Sequence, residues 1–140
     1  MPEAGGRLRM VRDQLAIAAA LKDENAAHPV AAAWRPILCE VVRAFVRGDY
    51  GLSRAPSGVD TVPKDLADQM RACVADYGAT LVELPDDTWE ASCAQWMGGH
   101  WDVLVDLWTK EKGRSDLVLG LRVAESDAQL RFTVQFVHVP

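Results

Sequence analysis

The chain predicts an α+β fold: two or three N-terminal helices packed on one face of a meandering antiparallel sheet of four to five strands. Three features of the sequence carry that prediction. Apolar residues recur at helical spacing in the first half, at i, i+3, i+4 and i+7. From His100 onward they alternate with polar residues, the pattern of half-buried strands. Clusters of Gly, Pro, Asp and Ser separate the two regimes. With 140 residues, 49% of them hydrophobic and 25% charged, the chain is large enough for a single core without disulfide or metal staples. In outline such a sheet is similar to cystatin-like or nuclear-transport-factor-like cones.

Residues 1–27 read as an N-terminal tail and an Ala-rich helix, and 28–140 as one α+β domain. The first helix is expected from Arg7 to Asn25, with Leu8, Val11, Leu15 and Ala18 on a thin apolar face. A stronger one runs from Trp34 to Arg47, with Trp34, Ile37, Leu38, Val41, Val42 and Phe45 as its stripe, Pro36 near its start and Gly48 ending it. Residues 48–62 (GDYGLSRAPSGVDTV) are expected to form a surface loop, either a functional flap or a mobile connection. Pro63 opens another helix, with Leu66, Met70, Cys73, Val74 and Tyr77 inward and Gly78 as its left-handed stop. A short strand follows from Thr80 to Leu84. Residues 88–97 fit either a helix face or a strand. The strand is preferred, because Gly98-Gly99 suits a two-residue hairpin turn that sets Trp96 opposite Trp101.

The centre of the prediction is the hairpin 101–123, WDVLVDLWTKEKGRSDLVLGLRV. Trp101, Val103, Val105 and Leu107 point one way; Asp102, Leu104, Asp106 and Trp108 point the other. Gly113 suits a left-handed turn position with a bulge. Placing Leu107 opposite Leu117 then pairs Val105 with Leu119, Val103 with Leu121, Asp102 with Arg122 and Trp108 with Asp116. In the last strand, Leu130, Phe132, Val134 and Phe136 form the apolar face, with Val137 on the other. Setting Leu121 beside Phe132 puts Arg122 beside Arg131. A slip by one residue would turn an entire apolar set to solvent, which fixes the parity.

The second face of the sheet therefore carries Asp102, Asp106, Trp108, Asp116, Arg122, Arg131 and Gln135, with Arg114 at the turn and His138 near a strand end; of these, Asp106, Trp108, Arg114, Asp116, Arg122 and His138 are the candidate binding residues. Trp and Arg dominate interface hot spots, so this face and its turn form the candidate binding site. Asp102 with Arg122 reads as a cross-strand ion pair. Asp106 and Asp116 would form an acid–base pair only if a pocket covered them. Of the five tryptophans, Trp34 and Trp101 read as core, while Trp89, Trp96 and Trp108 are candidates for a groove or partner.

Other classes are disfavoured. A net charge of −5 argues against a phosphate backbone as partner. Cys39, Cys73 and Cys93, odd in number and widely spaced, read as buried thiols of a reducing cytosol. The start, MPEAGGRLRM, has no continuous apolar region, so neither a secretory leader nor a membrane span is expected. No zinc spacing, P-loop, dinucleotide fingerprint or nucleophile elbow is present, and no cofactor is expected.

The run Trp101-Asp102, Val105-Asp106-Leu107-Trp108-Thr109, Glu111 and Gly113-Arg114-Ser115-Asp116-Leu117 resembles a small uncharacterised bacterial domain family with the pattern W…VDLWT-x-E-x-GRSDL. A preceding Tyr77-Gly78 and a closing His138-Val139 are similar to that pattern too. The resemblance spans about Trp34 to the C-terminus and implies no activity or catalytic residues. The reading that follows is a non-enzymatic cytoplasmic binding protein, of immunity or adaptor type, whose partner is a protein such as a basic toxin. The alternative is a small-molecule-binding or enzymatic cone with an aspartate-lined pocket. A homodimer through the sheet face or the first helix is the third.

Overall fold

In the computed structural model, residues 20–140 are described. They form an α+β fold in which two helices, α1 (Arg35–Val46) and α2 (Lys64–Tyr77), pack against a five-stranded antiparallel sheet. The strands are β1 (Leu81–Val82), β2 (Cys93–Trp96), β3 (Trp101–Thr109), β4 (Gly113–Ser126) and β5 (Gln129–His138). β3 is central: β4 pairs along one side, and β1 and β2 share the other at opposite ends of the strand. β5 completes the sheet beyond β4.

Most of the helix expected over 7–25 lies outside the described residues. Its last part, 20–25, is not helical. The Asp23 carboxylate accepts the Asn25 N–H at 2.9 Å and bonds the His28 ring at 2.9 Å, a local turn that competes with helix. The segment runs along the β2–β3 hairpin. The Trp101 indole donates to the Leu21 carbonyl at 3.0 Å, and His28 bridges Ala94 of β2.

The two helices follow from their sequence. A 3₁₀ turn, Ala32–Trp34, leads into α1, whose first turn holds Pro36, where a missing N–H costs nothing. Leu38, Val41, Val42 and Phe45 are buried against the sheet. α2 follows Pro63 and ends at Gly78, which takes φ 78°. The loop between the helices is more than a surface connection. Tyr50, Leu52, Val59 and Val62 are all buried, and Val59 bridges Phe132 on the edge of β5. Leu52 sits at φ 51°, a left-handed conformation unfavourable for a branched residue, and its complete burial offsets the strain. Asp49 holds the turn by accepting both the Ser53 N–H and its hydroxyl.

Residues 88–97 are divided between two structures. Asp86–Glu90 forms a 3₁₀ turn and Cys93–Trp96 the strand β2, with Trp96 opposite Trp101 across the Gly98-Gly99 turn as expected. In the main hairpin, Val105–Leu119, Val103–Leu121 and Asp102–Arg122 are in register as expected. Nearer the turn the register shifts: Trp108 faces Arg114, not Asp116, and Thr109 faces Gly113. Two extra residues of β4 are absorbed there by Ser115. Its hydroxyl donates to the Leu107 carbonyl at 2.7 Å and accepts the Leu117 N–H at 3.0 Å, standing in for the ladder.

The last strand departs further. Leu121 pairs with Val134 and Arg122 with Thr133, two residues away from the expected register. Arg131 therefore lies opposite Ala124, not beside Arg122. A bulge at Gln135, between the pairs Gly120–Phe136 and Leu121–Val134, reverses the alternation. Val137 turns inward and is buried, while Phe136 turns to the outer face. The inner face of the sheet is the core throughout: Val103, Val105, Leu107, Leu117, Leu119 and Val123 are completely buried. At one end Trp34 meets Trp101 and Phe132 edge-on, with ring centroids 5.3 and 5.9 Å away.

Candidate functional site

With the helices on one face, the opposite face of the sheet is open, and strand pairing arranges it in cross-strand rows. Asp102 and Arg122 lie side by side between Gln95 and Thr133. Next come Cys93, Leu104, Gly120 and Phe136, then Asp106, Val118 and His138. The last row before the turn is Trp108 with Arg114. The middle of the face is thus apolar and its ends are polar.

The apolar row is shaped by one glycine. Any β-carbon at position 120 would overlap the Phe136 ring where it now lies, so glycine makes room for that ring beside β4. His138 stacks on the face of Phe136, with centroids 4.1 Å apart and planes 18° from parallel. Leu104 stays 41% exposed on this face, and Met97, just past the end of β2, is 51% exposed. Together with Gln95, Arg122 and Gln135 they border a groove of about 510 Å³. A second groove, of about 420 Å³, lies at the turn end between Asp106, Arg114, Asp116, Val118 and Pro140.

The structure brings Asp106, Arg114 and Asp116 to the turn-end groove, and His138 close by across Val118. Arg122 belongs to the other groove, where Asp102 does not pair with it. The Asp102 carboxylate bonds the His100 ring at 3.1 Å instead. On its other side Thr133 donates to Asp60, which also pairs with Arg131. Among the described residues, Arg122 makes no ion pair or side-chain hydrogen bond. The expected Asp102–Arg122 pair is a match of register only.

Much of the turn end is engaged in holding the fold. The Glu111 carboxylate accepts the Thr80 N–H at 2.8 Å and the Thr80 hydroxyl at 3.0 Å. These bonds, the backbone one foremost, hold its carboxyl below the usual carboxylate range. The Tyr77 hydroxyl accepts the Asp116 N–H at 3.2 Å and points at its carboxylate, 3.5 Å away. Lys112 lies over the Tyr77 ring, 4.9 Å from its centroid, and contact with that phenol raises its pKa. Thr109 accepts the Lys112 N–H, and Gly113 takes φ 72° beside the Trp108 ring. Asp116 is therefore a positioned residue, and Trp108 is half-buried with its indole nitrogen enclosed. Trp89 is buried in the core with Arg35 over its ring, so it is no partner anchor. Trp96 is half-buried against Trp101 and Lys22.

The three cysteines are free and half-buried, not fully buried. The Cys93 thiol, beside Leu104, is pushed up first by burial and then by the Asp106 charge, so it stays protonated and serves as a small apolar wall. Among the described residues, no group of three or more His, Cys, Asp or Glu side chains is placed to hold a metal, and no helix is long and apolar enough to cross a membrane.

The motif on the hairpin and the Tyr77 lock beneath it fall within one family model. Residues 42–140 match the model described as Domain of unknown function (DUF7668). The chain belongs to this family. The match begins within α1, at Val42, later than the Trp34 suggested by the sequence resemblance, and takes in α2 and the whole sheet. The DUF7668 region thus contains both grooves, whereas the segment along the β2–β3 hairpin, 20–28, precedes it. No curated protein and no solved structure matches the chain.

Residues that the sequence reading left out of the site are Met97, Leu104, Gly120 and Phe136. Leu104 was legible, since alternation puts it among polar residues on the outer face. Phe136 was not, because the Gln135 bulge that turns it outward has no signature in the alternation.

Proposed function

We propose that this chain is a non-enzymatic binding protein of the cytoplasm, of immunity or adaptor type, which takes a protein partner on the open face of its sheet. The observation that carries the reading is the apolar row Leu104–Gly120–Phe136, with Leu104 41% exposed and charged residues in the rows on either side. An apolar centre in a polar rim is the anatomy of a protein interface. The chain as a whole carries −5, which favours encounter with a basic partner. The free cysteines are in keeping with a reducing compartment. An aspartate-lined catalytic pocket has less support: Asp106 and Asp116 border an open groove on the face away from the helices.

The test is affinity capture from the native host with three baits: the wild-type chain, Leu104→Asp, and Lys64→Ala on the far side of the molecule. The reading expects a protein retained by wild type and Lys64→Ala and lost with Leu104→Asp. The same proteins on all three baits would overturn it.

A further inference from the structure

The groove beside the apolar row has an asymmetry that suggests what the partner offers. It is lined by Leu104, Gly120 and Phe136 in one cross-strand row, by Gln95, Asp102 and Arg122 in the next, and by Met97 beyond them. Arg122 therefore stands beside the apolar row, and both carboxylates near it are taken. Asp102 is turned to His100 at 3.1 Å, and Asp60 receives Arg131 and the Thr133 hydroxyl. Arg122 thus presents a planar, permanently charged donor fork beside exposed apolar surface, without a bonded anion among the described residues.

We propose that this groove takes an apolar side chain of the protein partner with a carboxylate next to it, the carboxylate on Arg122. The inference rests on the reading of the open face as a protein-binding surface and adds the chemistry of the anchor. The apolar group supplies the driving force by covering Leu104 and Phe136, the row next to Arg122. Arg122 supplies orientation, because a guanidinium and a carboxylate meet in a fixed, two-bond geometry. Asp102 opposes the anion, and its bond to His100 draws it aside. On a chain of net charge −5, a partner that is basic overall is thus read at this point by one acidic residue beside an apolar one.

The experiment is an NMR titration of the whole chain with two capped peptides, acetyl-Gly-Leu-Glu-Gly-amide and its Gln counterpart, up to about 10 mM, the range where fragments of millimolar affinity register. The expected result is shift changes centred on Met97, Leu104, Gly120 and the Arg122 Nε–H. The Glu peptide should bind about two- to five-fold more tightly than the Gln peptide, the worth of an exposed ion pair. Arg122→Gln should remove that preference, and Asp102→Asn should enlarge it. Equal affinities for the two peptides, a preference that survives Arg122→Gln, or no shifts on this face would each overturn the proposal. Those failures leave the Leu104→Asp capture result standing, so the anchor chemistry and the binding face are tested separately.

Discussion

The two ends of the open sheet face carry similar residues and use them differently. At the turn end Glu111, Ser115 and Asp116 are engaged: one clamps Thr80, one replaces two ladder bonds, and one is held by Tyr77. At the other end Leu104 and Met97 are exposed, and Arg122 has no bonded partner among the described residues. Polar residues crowded into a turn are cheapest to explain as parts of the turn, since buried backbone groups need partners. A surface meant for another molecule is better marked by groups that the fold leaves unengaged. In the run W…VDLWT-x-E-x-GRSDL, the glutamate, glycine, serine and final aspartate hold the hairpin together.

Four substitutions sharpen or break this contrast. The largest effect is expected at Gly120, where the Phe136 ring leaves no room for a β-carbon. Gly120→Val would force the Phe136 ring off β4 and should cost about 1–3 kcal/mol in urea unfolding, as overpacking does. An unchanged midpoint would show that the ring does not lie there. Tyr77→Phe removes the acceptor for the Asp116 N–H and should cost about 0.5–1.5 kcal/mol. Glu111→Gln should cost less, because the clamp is exposed, but it carries a pH signature. The folded Glu111 carboxyl lies below its unfolded value of about 4.3. Its contribution is therefore complete above that value and is lost as pH falls through the lower, folded value. Wild type should lose stability over that acid range more steeply than Glu111→Gln, and parallel pH profiles would deny the clamp. Leu104→Asp should change stability by no more than about 0.5 kcal/mol, as surface changes do, while abolishing capture of the partner.

The sequence made the layers legible but not the irregularities. Alternation from Trp101 to Val123 set the inner face correctly, because parity is enforced by burial: Val103, Val105 and Leu119 are completely enclosed. Helical spacing placed α1 and α2, and Gly78 marked the end of α2. What escaped were the two places where β-strands gain residues. Ser115 and Gln135 each interrupt the ladder without breaking hydrophobic patterning strongly enough to be read. Those two bulges decide the candidate site. One separates Trp108 from Asp116 and ties Ser115 into the fold; the other brings Phe136 onto the open face. Arg122 was singled out correctly as a surface residue, but its assigned partner was wrong, since a register match does not oblige side chains to meet.

The most direct measurement is equilibrium urea unfolding of Ser115→Ala beside Arg122→Ala. If the turn end is committed to the fold and the other end is not, Ser115→Ala should lose about 1–3 kcal/mol, because the Leu107 carbonyl and the Leu117 N–H lose their buried partner. Arg122→Ala should stay within about 0.5 kcal/mol of wild type. Equal losses, or a larger loss at Arg122, would contradict the division of the face into an engaged end and a free one.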